Sequence, residues 1–83
     1  MMMAQRNYIA ASMARMPCGL ALKEAGLAKN TGDASELIRA GRAYADGERI
    51  KPGQIIVPPV SLSLGLPDKP ATFTRSVNLT APA

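Results

Sequence analysis

Gly26-Leu27-Ala28-Lys29-Asn30-Thr31-Gly32-Asp33-Ala34-Ser35-Glu36-Leu37-Ile38-Arg39-Ala40-Gly41-Arg42-Ala43-Tyr44-Ala45-Asp46-Gly47-Glu48-Arg49-Ile50 is the stretch that decides the fold. Asn30 stands three residues before Asp33. That spacing suits a helix N-cap with a carboxylate in the first turn, where the helix dipole favours it. Ala34, Leu37 and Ile38 recur at i, i+3 and i+4 and give the helix one apolar stripe. Gly41 ends it. Residues 43–45 then read as a short strand, and Asp46-Gly47 is a two-residue hairpin signal with residues 48–50 as the returning strand.

Outward from this stretch, residues 20–25 suit about two turns of helix, closed by Gly26. On the other side, Lys51-Pro52-Gly53 is a turn, with proline presetting φ and glycine accepting a positive φ. Residues 54–57 follow as a third strand, whose Ile55-Ile56-Val57 run calls for burial. Leu27, Ala34, Leu37, Ile38, Ile50, Ile55 and Val57 are the expected core.

The flanks have a different texture. Tyr8, Ile9, Met13 and Met16 recur at helical spacing, so residues 1–17 read as an amphipathic N-terminal helix, or else as a frayed terminus. Beyond Val57, Val60, Leu62 and Leu64 alternate with serines, and Phe73, Arg75, Val77 and Leu79 alternate with polar residues. That is the period of strands. Pro67-Asp68-Lys69-Pro70 reads as the loop between them. Residues 58–83 are thus a hairpin arm or a flexible tail, and Val60, Leu62, Leu64, Phe73, Val77 and Leu79 are its candidate partner-binding residues. The division is a helix over 1–17, a domain over 18–57 and an arm over 58–83, in the α+β class.

Composition narrows the function. A chain of 83 residues holds one small core. Its ten Lys and Arg exceed its six Asp and Glu, giving a net charge of +4, a mild bias toward an anionic partner. There is no histidine and one cysteine, Cys18, so neither a histidine relay, a zinc site nor an internal disulfide can form. The six carboxylates are scattered, and no phosphate-cradling glycine loop follows a strand. No enzyme, catalytic residue, metal or cofactor is expected. No apolar run approaches the roughly 20 residues of a membrane helix. The expected location is cytoplasmic, or within a viral or ribonucleoprotein assembly.

Residues 26–50 closely, and 20–57 more loosely, resemble the alpha-L RNA-binding module of the ribosomal protein S-four type. Gly26, Leu27, Ala28 and Lys29 match its first turn. Ala34, Leu37, Ile38 and Gly41 match its helix, and Tyr44, Gly47 and Glu48 its hairpin. Lys51-Pro52-Gly53-Gln54-Ile55 matches its later turn and strand. The resemblance implies two short helices packed on a hairpin and a third strand. It also implies binding of structured RNA, with Lys29, Arg39, Arg42, Arg49 and Lys51 gathered on one face. The chain departs from the family at Ser35 and Glu36, which replace paired arginines, and a carboxylate there opposes phosphate. The alternative is a structural or assembly protein that reuses the fold. It would bind a protein partner or further copies of itself through the N-terminal helix and the C-terminal arm.

Overall fold

The computed structural model describes residues 8–66 and 69–82. Over these the chain runs β1 (Tyr8–Ala10), β2 (Met16–Pro17), α1 (Cys18–Glu24), α2 (Thr31–Arg39), β3 (Ala43–Ala45), β4 (Glu48–Arg49), β5 (Ile55–Ile56), β6 (Val60–Leu66) and β7 (Lys69–Thr80). One sheet has the order β1-β7-β6-β3-β4, and β2 pairs with β5 in a second, two-stranded sheet. The class is α+β.

Local chemistry accounts for the central elements. The Asn30 side chain accepts the Asp33 N–H at 2.7 Å and starts α2. Gly41, at φ +73°, lets the chain fold back so that the N–H groups of Gly41 and Arg42 reach the carbonyls of Ile38 and Leu37, both at 3.0 Å. The end of α1 repeats this pattern at Gly26. Asp46 and Gly47 both take positive φ, 51° and 83°, which is the type I′ turn expected between two strands. The turn pairs Ala45 with Glu48 and Tyr44 with Arg49.

The core joins the helices to one face of the larger sheet. Ala21, Leu22, Ala25, Leu27, Ala34 and Ile38 pack in one cluster with Ala43, Leu62, Leu64, Val77 and Leu79. Ile50, in the turn after β4, and Ile56 of β5 complete it. Among the described residues no helix is long and apolar enough to cross a membrane.

Three expectations are corrected. The first is the N-terminal helix. Residues 1–7 lie outside the described residues, but residues 8–10 form β1, parallel to β7, and Met16–Pro17 form β2. A short helix is costly to nucleate. A strand instead satisfies its backbone on the edge of β7, and alternation turns Ile9 toward the core while Tyr8 stays exposed. Serine 12 then bends the chain: its N–H at 3.0 Å and its hydroxyl both donate to the Glu24 carboxylate.

The second correction concerns β5. Ile56 is buried, but Ile55 and Val57 are 48% and 57% exposed, because among the described residues β5 pairs only with β2 and offers one face to the core. Leu37 is half-buried and packs against the core from outside. The third concerns the C-terminal arm. Strands β6 and β7 are the middle of the larger sheet, with β3 on one side and β1 on the other. Val60, Leu62, Leu64, Val77 and Leu79 are buried in the domain's own core, so they are not a free partner-binding surface. Of the six candidate partner-binding residues, only Phe73 is exposed. Pro67 and Asp68, at the expected loop, lie outside the described residues. Residues 18–57 therefore do not close a core alone.

Candidate nucleic-acid interface

Two of the five predicted cations end up beside a third across one groove. Arg39 occupies the last turn of α2, Arg49 the return strand of the hairpin, and Lys51 the turn that follows it. All three line an open groove of about 400 Å³, together with Ile38, Gly41, Ile50 and Pro52. Neighbouring hollows continue it past Pro52 and Gly53, toward Cys18, Gly19 and Ser35 on one side and toward Glu48 on the other.

The turn that carries Lys51 is fixed from several directions. The Lys51 N–H donates to the Gln54 side-chain oxygen at 2.9 Å, and the Cys18 N–H donates to the Gln54 carbonyl at 3.0 Å. The start of α1 and the far wall of the groove are thereby one unit. Cys18 itself is buried, as a small apolar filler would be.

Arg49 is the most constrained of the three. Its Nη2 donates to the Tyr44 hydroxyl at 3.4 Å, and its guanidinium carbon lies 5.8 Å from the centre of the Tyr44 ring. Tyr44 is 2% exposed and also packs on Phe73, with ring centres 5.2 Å apart and planes tilted by 58°. On the other side the guanidinium comes so near Gly41 that a Cβ there would meet it at 3.3 Å. Gly41 thus serves twice, ending α2 in the left-handed region and leaving room for the cation. The Tyr44 hydroxyl and the open space above Gly41 thus fix where the Arg49 guanidinium sits on the wall of the groove.

The other two predicted residues stand apart. Lys29 lies in the α1–α2 turn, exposed, with its N–H donating to Asp33 Oδ2 at 3.1 Å. Arg42 is half-buried, and its Nε donates to the Gly65 carbonyl at 3.2 Å. The Gly65 N–H donates in turn to the Arg42 carbonyl at 2.8 Å, so Arg42 ties β3 to β6. Neither lines the groove. A further cation, Arg75, reaches from β7 to the Gly26 carbonyl at 3.2 Å and braces the turn after α1.

Tyr44 and Gly41 are positioning residues that the list of cations alone misses. The signal for Tyr44 lies in the hairpin: once Asp46-Gly47 is the turn, counting back pairs Tyr44 with Arg49. The contact of Arg42 with Gly65 has no local signal, because it depends on the pairing of β3 with β6.

The fold shifts the titration of the Glu24 carboxylate. The Ser12 hydroxyl, and then the Ser12 N–H, hold it below its ordinary value of 4.5. Among the described residues there is no cluster of three His, Cys, Asp or Glu that could hold a metal ion. Comparison with protein-family models, with curated proteins and with solved structures finds no match to this chain.

Proposed function

We propose that the protein binds structured RNA without catalysis, through an alpha-L-type module made by α1, α2, the β3–β4 hairpin and the turn at Lys51. The observation that carries this reading is the convergence of Arg39, Arg49 and Lys51 on one open groove. Three cations from three separate elements suit the phosphates of a folded backbone better than a small enclosed ligand. The order helix, helix, hairpin and proline-glycine turn supports the same module.

The test is fluorescence anisotropy with an RNA hairpin between about 50 and 200 mM salt. Three phosphate contacts at about 0.7–0.9 each give a slope of log K on log[salt] of roughly −2 to −2.7. Affinity should fall by roughly 20- to 40-fold over that range. Arg39→Ala with Lys51→Ala should flatten the slope by about 1.4–1.8. Glu36 lies exposed one turn before Arg39, so Glu36→Arg adds a cation beside the groove and should tighten binding. Absence of salt-sensitive binding at the low-salt end would count decisively against RNA.

A second reading has its own observation. Ile55 and Val57 are exposed on and beside β5. If the protein is instead an assembly subunit, its partner meets β5 and not the C-terminal hairpin. Mutation of Ile55 and Val57 to serine would then abolish oligomers seen by size-exclusion chromatography and leave the fold intact.

A further inference from the structure

The larger sheet has a second hollow, away from the cationic groove. It is about 280 Å³ and is lined by Tyr8, Asp46, Pro59, Ser61, Asn78 and Thr80, among others. Strand pairing brings these residues together. Tyr8 pairs with Asn78 across β1 and β7, and Asn78 pairs with Ser61 across β7 and β6. The three form a row on the face opposite the buried Leu62 and Leu79. Asp46 closes one end: its N–H donates to the Ser61 carbonyl at 2.8 Å, and its Oδ1 accepts the Ser61 N–H at 3.0 Å.

The chemistry of this lining differs from that of the groove. Its described residues offer a tyrosine ring, 58% exposed, an amide that both donates and accepts, two aliphatic hydroxyls and one carboxylate. Among the described residues no lysine or arginine lines it. Among these residues a phosphate would meet the Asp46 carboxylate and no counter-charge. A flat, neutral ring with N–H groups on its edge meets a stacking surface and acceptors.

We propose that this hollow takes an unpaired nucleobase, and guanine in preference to the others. The Tyr8 ring supplies the stacking face. The Asp46 carboxylate accepts the adjacent N1–H and N2–H donors that guanine alone presents side by side. Cytosine and adenine offer a single amino group on that edge, and uracil a single imide N–H. The Asn78 amide completes the contact from either of its ends. The same sheet face carries the Tyr44–Phe73 pair, beside Arg49. A strand leaving the groove at Arg49 therefore passes the exposed Phe73 on its way to the hollow. That the base belongs to RNA rests on the proposed function; the hollow's preference for a base does not need it.

Nucleosides without phosphate keep the two sites separate. Amide NMR titration of the whole protein with guanosine, cytidine and uridine is the experiment. Guanosine should shift the amides of Tyr8, Ser61 and Asn78 at millimolar concentration, at least about fivefold more tightly than uridine. Asp46→Asn keeps a residue suited to the type I′ turn and an oxygen for the Ser61 N–H. It should weaken guanosine about tenfold and leave uridine unchanged. Tyr8→Ala should weaken every nucleoside about fivefold or more. No shift at these residues, equal binding of guanosine and uridine, or undiminished binding by Tyr8→Ala overturns the proposal. Loss of hairpin binding with nucleoside shifts intact would sink the groove alone.

Discussion

Truncation of Leu62 to alanine asks whether the C-terminal hairpin is core or appendage. Leu62 is fully buried, on the central strand β6, with Ala45 of β3 on one side and Val77 of β7 on the other. Leu→Ala removes roughly three methylene-sized groups at about 0.8 kcal/mol each, or about 2.4 kcal/mol of transfer free energy. The cavity adds to this, and its neighbours are held in place by strand pairing on both sides, so relaxation is poor. The expected loss is about 3–4 kcal/mol, inside the range of about 2–5 for buried leucine. At roughly 0.05–0.15 kcal/mol per residue, the whole chain has about 4–12 kcal/mol to lose. Urea unfolding followed by circular dichroism measures it, with the slope m checked for constancy. Val57→Ala is the matched control, since the sequence suggests burial there and the structure exposes it; it should change stability by no more than about 0.5 kcal/mol. A Leu62→Ala loss below about 1 kcal/mol, or one no larger than that of Val57→Ala, would refute the placement of β6 in the core.

Other perturbations probe smaller features. Gly41→Ala places a Cβ 3.3 Å from the Arg49 guanidinium at φ +73°, and should cost about 1–2 kcal/mol in thermal unfolding while weakening RNA binding through Arg49. Asn30→Ala removes the acceptor of the Asp33 N–H and should cost about 1 kcal/mol by the same assay. Ser12→Ala should raise the Glu24 titration midpoint toward 4.5, read from its side-chain carboxyl carbon by NMR. Because Glu24 is depressed in the folded state, the stabilisation it gives is present above the ordinary carboxylate range. It is lost as pH falls through the lowered pKa, so the Ser12→Ala variant should show a smaller loss of stability on acidification.

The middle of the chain was legible because its signals are local. Asn30, Gly41 and Asp46-Gly47 act within a few residues of themselves, and the elements they bound fall where the sequence placed them. The flanks were misread where long-range pairing decides. Tyr8, Ile9, Met13 and Met16 fit a helical period, yet residues 8–10 fit a strand equally well, and the partner that settles the matter is β7. The alternation of β6 and β7 was visible, but whether its apolar side faces the same core or a partner depends on their pairing with β3. In the same way, the hairpin count places Arg49 beside Tyr44, while the diversion of Arg42 to Gly65 belongs to that long-range pairing.

The pairing of β1 with β7 also has a consequence in time. Tyr8 and Asn78 are partners across nearly the whole chain. The entropy of closing so long a loop grows only logarithmically with its length, so the pairing costs little at equilibrium. Its rate is another matter, since contacts distant in sequence form late. On a ribosome, residues 8–10 emerge well before β7 and have no edge to join until it has been made. β1 is thus made early and seated late, and until then the β7 edge stands open to any other extended segment within reach.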